Sequence, residues 1–124
     1  MKVLIVEDDK FLRDLMNEKL LKEGFEVKQA LDGEEALKFA MEDTPDIVLL
    51  DLVLPRIDGF GVLEKMKADP KLSGVPVLIL SNLGQKEDVM RATTLGAADF
   101  LIKSNFTLGE VTEKVKEILK KKYV

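Results

Sequence analysis

The sequence contains neither cysteine nor histidine, and these absences narrow the chemistry before any motif is considered. Without cysteine there are no disulfides and no thiolate nucleophiles, and nothing points to an oxidising compartment. Without histidine the commonest general base and the usual zinc ligand are missing, so a reactive group has to be a carboxylate, a lysine, a serine or a threonine. Glycine-rich phosphate cradles are missing too, because no GxGxxG or GxxxxGK[ST] stretch follows an apolar run. Positive charge is in deficit, with a net charge of −4. That argues against a nucleic-acid surface, which needs clustered Lys and Arg. The opening run Met1-Lys2-Val3-Leu4-Ile5-Val6 is too short for a signal peptide and continues into acids, so a cytoplasmic location without membrane contact is expected.

What is present describes an ordinary globular chain. At 124 residues, 46% hydrophobic and 34% charged, it is long enough to bury a core without staples, and one domain over 1–124 is expected. Short β-branched or leucine-rich runs recur at Val3 to Val6, Ile47 to Leu50, Val77 to Leu80 and Phe100 to Ile102. Their continuous apolarity suits strands buried on both faces. Phe25 to Ala30 alternates instead, with Phe25 and Val27 set against Glu26 and Lys28, and suits a strand nearer a sheet edge.

Helices are punctuated between these runs. Asp32 with Glu35, and Thr107 with Glu110, are capping-box patterns that start helices near 33 and 108. Leu12, Leu15, Met16 and Leu20 form an apolar stripe that Gly24 is placed to end. Asp58 caps a third helix to about Ala68, and Gly96 closes a fourth that begins near Lys86. Lys120, Lys121 and Lys122 suit the negative end of a last helix. Five βα units require right-handed crossovers and a parallel sheet covered on both faces. They are too few for an eight-fold barrel, so an α/β, open, doubly wound five-stranded sheet is expected, with its ligand site beyond the carboxyl ends of the central strands.

The residues at those ends are Glu7-Asp8-Asp9, Asp51, Ser81 and Lys103. Packed carboxylates repel unless a cation neutralises them or one is protonated. Oxygen ligands without His or Cys favour Mg²⁺, with Asp8, Asp9 and Asp51 as expected ligands. Lys103 would add a second positive contact to a phosphoryl group, and Ser81 a hydrogen bond. Asp51 follows Ile47-Val48-Leu49-Leu50 directly, where a bare carboxylate is costly without a partner. It is the natural nucleophile for an acyl phosphate. Taken singly, Asp8 or Asp9 reads more simply as a helix cap.

These residues closely resemble the receiver domain of two-component response regulators over essentially the whole chain. The resemblance is carried by Val3-Leu4-Ile5-Val6-Glu7-Asp8-Asp9, Asp46 to Pro55 with Asp58-Gly59, Ser81, and Gly96 to Lys103. It implies a flavodoxin-like sheet of strand order 2-1-3-4-5. It also implies Mg²⁺-dependent phosphoryl transfer to Asp51 from a sensor histidine kinase, a histidine phosphotransfer protein or a small donor such as acetyl phosphate. Self-modification of this kind is not enzyme turnover on a separate substrate. The resemblance further implies a metal contact from the Val53 backbone carbonyl, and switching by Ser81 and Phe100. The output face would be formed by the fourth helix, last strand and last helix, toward a downstream protein target, as a monomer or a phosphorylation-dependent dimer.

The pattern departs from the family at three places. Ser104 stands after Lys103 where proline in a cis peptide is usual, Asn82 is larger than the usual residue after the hydroxyl, and Val53 has no group to orient a water. A comparatively long-lived phosphoryl group is expected. Two other readings are a receiver-like interaction module that no longer switches, and a receiver cut from a longer regulator, for which the ending Lys120-Lys121-Lys122-Tyr123-Val124 would be the start of a linker.

Overall fold

The computed structural model describes residues 1–123; Val124, and with it the tip of the ending just considered, lies outside the described residues. The chain alternates strand and helix: β1 (Lys2–Val6), α1 (Lys10–Lys22), β2 (Glu26–Ala30), α2 (Gly33–Glu42), β3 (Ile47–Leu50), α3 (Gly59–Ala68), β4 (Val77–Ser81), α4 (Lys86–Thr94), β5 (Asp99–Ile102) and α5 (Leu108–Tyr123). The strands form one parallel sheet of order β2-β1-β3-β4-β5, the doubly wound arrangement expected from the sequence.

Burial explains the strand composition. Every residue of β3 and β4 is buried, because helices cover both faces. One face packs Leu4, Val6, Val48, Leu50, Val77 and Ile79 against α2, α3 and Ala92 of α4. The other packs Val3, Ile5, Ile47, Leu49, Leu78 and Leu80 against Met16, Leu20, Val111, Val115 and Leu119 of α1 and α5. Each such side chain contributes about 2 kcal/mol when fully removed from water. β2 pairs with β1 alone, and its alternation follows from that edge position. Val27 packs on the α1/α5 side, while the ammonium of Lys28 lies 4.3 Å from the centre of the Phe39 ring on α2.

The helix ends follow local chemistry. Thr107 Oγ1 accepts from the Glu110 amide at 3.1 Å and Glu110 Oε1 accepts from the Thr107 amide at 3.0 Å, a reciprocal capping box. Asp32 and Asp58 cap α2 and α3 by accepting from the Glu35 and Gly61 amides, each at 2.8 Å. Gly24 and Gly96, at φ 91° and 99°, turn the chain out of α1 and α4 through the left-handed region that glycine enters without strain. No helix among the described residues is long and apolar enough to cross a membrane.

Candidate functional site

Strand register decides which side chains meet. Val6 of β1 lies beside Leu50 of β3, so the next residues, Glu7 and Asp51, stand level where β1 and β3 adjoin, the point at which strand order reverses. The Asp51 amide donates to the Val6 carbonyl at 3.1 Å and the Glu7 amide to the Ala30 carbonyl at 3.2 Å. Both carboxylates are therefore carried on backbone that continues the sheet.

A cleft of about 370 Å³ opens there, lined by Glu7, Asp8, Asp9, Asp51, Val53, Asn82 and Lys103. Asp51 is 6% exposed and Glu7 2%. Lys103, in a 3-10 turn (Lys103–Asn105) after β5, bridges them, with Nζ 2.5 Å from Glu7 Oε1 and 2.9 Å from Asp51 Oδ2. The other oxygen of Asp51, Oδ1, accepts from the Val53 amide at 3.1 Å. Both oxygens of the expected nucleophile are thus held, leaving little rotational freedom to lose in a reaction.

The carboxylate oxygens that gather within 4.8 Å of one another belong to Glu7, Asp8 and Asp51. Of the expected ligand set, Asp8 and Asp51 are brought together, but the third acid is Glu7 rather than Asp9. Asp9 instead caps α1, its Oδ1 accepting from the Leu12 amide at 3.2 Å. Its own amide donates to Glu7 Oε2 at 3.2 Å. The signal for Glu7 was present in the sequence, since it is the first polar residue after a buried strand, as Asp51 is.

The electrostatics fit a hard divalent cation. Burial pushes the Glu7 carboxyl above its ordinary range, against the pull of hydrogen bonds from Lys103 and the Asp9 amide. Burial also works to lower Lys103, but hydrogen bonds to Glu7 and Asp51 outweigh it and hold the ammonium above the usual lysine range. Three acids with one ammonium leave negative charge in excess, and an all-oxygen donor set is the chemistry Mg²⁺ takes. The residues therefore fit the cation that the sequence implied.

The remaining expected residues are close but differently disposed. Ser81, the last residue of β4, is fully buried, and its Oγ accepts from the Leu83 amide at 3.3 Å. Phe100 is half-buried on β5 and packs against the core under α2, α3 and α4. Val53 is exposed at the cleft. The Lys103–Ser104 peptide is trans, like every peptide bond among the described residues.

The model of the response regulator receiver domain family matches residues 3–116. RpaA of Synechocystis sp., a DNA-binding dual master transcriptional regulator, is 36% identical over 120 residues, 97% of this chain and 49% of that protein. The response regulator PleD of Caulobacter vibrioides is 40% identical over 102 residues, 82% of this chain and 22% of that protein. The chain therefore spans about half the length of RpaA and less of PleD. Among solved structures, the receiver domain of Francisella response regulator 1452 superposes with a TM-score of 0.89 at 29% identity, covering 97% of each chain. The Vibrio cholerae chemotaxis protein CheY4 does so with a TM-score of 0.88 at 26% identity, covering 94% of this chain and 97% of that one.

Proposed function

The chain belongs to the response regulator receiver domain family, and on that premise we propose that it is a phosphorylation switch whose acceptor is Asp51. An Asp51 oxygen attacks the phosphorus of a phosphohistidine on a sensor kinase or phosphotransfer protein. The phosphorus–nitrogen bond breaks, the imidazole leaves, and an acyl phosphate remains. The observation that carries this is the fixing of both Asp51 oxygens, by Lys103 and by the Val53 amide, inside a cleft of opposed charges.

Asp8, Asp51 and the Val53 carbonyl would hold Mg²⁺, with Glu7 as the third carboxylate and Asp9 left to its helix. The cation, when bound, supplies positive charge that offsets the phosphoryl oxygens. Lys103 then moves its hydrogen bond from a carboxylate to a phosphoryl oxygen, and the Ser81 hydroxyl turns away from the Leu83 amide to donate to another. Phe100 follows into the space behind Ser81. Because Phe100 has no hydroxyl, packing alone holds its inward state.

The output surface in this reading is the face of α4, β5 and α5. α4 is lightly anchored: Ala92 is its one buried residue, Gln85 offers it no side-chain cap, and Met90 is exposed. A helix so held shifts at low cost. Val53 lines the cleft, and Phe11, Leu83 and Phe106, in the segments that follow β1, β4 and β5, are exposed apolar side chains as well, which suits a histidine-bearing protein partner. The whole stretch 1–124 serves as one receiver unit that modifies only itself, and its acidic balance supports leaving nucleic-acid contact out of its role.

The test incubates the protein with Mg²⁺ and acetyl phosphate or beryllofluoride beside Asp51→Asn. Amide NMR shifts around the cleft and along α4 and β5 are expected in the wild type and not in the variant. An unresponsive wild type, or an equal response in Asp51→Asn, would refute the switch.

A further inference from the structure

Arg13 is an odd choice for its position. It lies on the inward stripe of α1 with Met16 and Leu20, at 8% exposure, where an aliphatic residue is cheaper to bury. A guanidinium costs free energy there unless its donors are satisfied and its charge is opposed. One of its amino groups, Nη1, donates to the Glu7 carbonyl at 2.9 Å and to the Asp8 carbonyl at 3.3 Å. These are the consecutive backbone oxygens of the two residues whose carboxylates converge with that of Asp51.

We propose that Arg13 is a positioning residue for the cation site, acting through the Glu7–Asp8 peptide. The inference rests on the reading of the cleft as an Mg²⁺ site. Past the Glu7 amide, which still donates to Ala30 of β2, the loop after β1 leaves the sheet, so its conformation depends on what holds its polar groups. The Arg13 amide donates to the Asp9 carbonyl at 2.9 Å and the Leu12 amide to Asp9 Oδ1, tying the loop's far end to α1. The guanidinium ties its near end. With both carbonyls turned to Arg13, the backbone of Glu7 and Asp8 is fixed with their side chains leaving on the Asp51 side, and a ligand pair on ordered backbone loses less entropy on binding a metal. Two effects of opposite sign compete, because a fixed positive charge behind an acidic cluster also weakens cation binding. Positioning prevails, since the guanidinium touches carbonyl oxygens rather than the ligating carboxylates.

The experiment titrates Mg²⁺ alone into the full chain, followed by amide NMR or calorimetry, for the wild type, Arg13→Lys and Arg13→Met, with thermal unfolding of each in the absence of metal. Lysine keeps the charge but ends short of the two carbonyls, and methionine keeps an apolar stem with neither charge nor donors. The expected result is Mg²⁺ affinity weakened about tenfold or more in both variants, with cation-free Asp8 and Asp9 amide shifts moved. An affinity equal to wild type in Arg13→Lys overturns the proposal, even where stability falls, and so does tighter binding in Arg13→Met. If Arg13→Met does not fold, Arg13→Lys decides alone. If the wild type takes up no Mg²⁺, the reading of the cleft falls first and this inference with it.

Discussion

The ammonium of Lys103 lies 2.9 Å from Asp51 Oδ2 across 52 positions of sequence, and the same ammonium reaches Glu7. One cation thus serves two buried carboxylates. Removing it in Lys103→Met leaves both acids uncompensated. A cost on the order of 2 kcal/mol is expected without metal, below that of a fully buried pair because the cleft admits water. Mg²⁺ bound in the proposed site would supply the missing charge, so urea unfolding of Lys103→Met should depend more steeply on Mg²⁺ than that of the wild type. Phosphorylation by acetyl phosphate should fall at least about tenfold, since the contact that offsets phosphoryl charge is gone. Equal Mg²⁺ dependence in the two proteins would remove Lys103 from the charge balance.

Glu7 gives the same network a pH signature. Its carboxyl is held above the ordinary value by burial, so over a window starting near the usual glutamate value the folded protein keeps a proton that the unfolded chain has released. Stability from this group is therefore highest on the acid side and falls as pH rises through the raised value. Lys103, also raised, contributes stability that is present below the ordinary lysine value and lost only at strongly alkaline pH. In cation-free buffer Glu7→Gln should be more stable than the wild type at neutral pH, by about 3 to 5 °C in Tm for a 1 kcal/mol relief. That advantage should shrink as pH falls from 8 toward 4. A difference that is flat or grows on acidification would contradict the burial argument.

The backbone behind Asp51 supplies a third prediction. A Cβ at Gly59 would stand 2.5 Å from Leu52 Cα and closer still to the Asp51 carbonyl. Neither neighbour is a flexible side-chain tip, so α3 can approach the site only through a glycine. Gly59→Ala should destabilise the fold by about 2 kcal/mol or more and move the Asp51 and Val53 amide resonances, with slower phosphorylation. A variant with wild-type stability and shifts would mean that the loop yields more easily than its packing suggests.

Arg56 sits at φ 66°, a region that costs a non-glycine residue about 1 kcal/mol. Its guanidinium Nη1 lies 3.5 Å from Asp32 and from Glu34 at the start of α2, solvent-screened pairs worth little. Arg56→Ala loses the pairs and keeps the strain, whereas Arg56→Gly loses both. Chemical denaturation should therefore rank Arg56→Gly above Arg56→Ala by about 1 kcal/mol, a margin reduced by glycine's larger unfolded-state entropy. The reverse order would show that the left-handed turn carries no strain.

Much of this architecture was legible in the sequence because its signals are local. Asp32 with Glu35, Thr107 with Glu110, and Gly24 and Gly96 each act within a turn of their own position, and the alternation of Phe25 to Ala30 records an edge strand directly. The site was legible only to the level of strand ends. Which acids of Glu7-Asp8-Asp9 face Asp51 depends on the register of β1 against β3, set by pairing between distant segments. Three consecutive acids give no periodicity from which to read it. Arg13 was hidden for a related reason: a guanidinium on an apolar stripe looks like an exposed residue until its two carbonyl partners are placed. The buried Ser81 hydroxyl likewise depends on the path of the loop through Leu83, which nothing local dictates.

If Asp51 is the acceptor proposed above, the cleft also sets the lifetime of its phosphoryl group. Hydrolysis of an acyl phosphate needs a water held in line with the bond that breaks, and a polar side chain at the rim is what holds it. Val53, exposed at the cleft, offers no such group, and Leu83 beyond the buried Ser81 is apolar as well. Asn82 also lines the cleft and follows Ser81 directly, and its size is expected to slow the approach of a donor. Placing a carboxamide at the open rim in Val53→Asn should shorten the phosphoryl lifetime about tenfold, the rate equivalent of one hydrogen bond to the attacking water. Asn82→Ala should speed phosphorylation by acetyl phosphate with a smaller effect on decay. The first is read from the decay of hydroxylamine-labile phosphate after the donor is removed, the second from its accumulation while acetyl phosphate is present. Rapid decay in the wild type, unchanged in Val53→Asn, would mean that water reaches the phosphorus without help from the rim, and that the lifetime is set by Lys103 and the cation rather than by Val53.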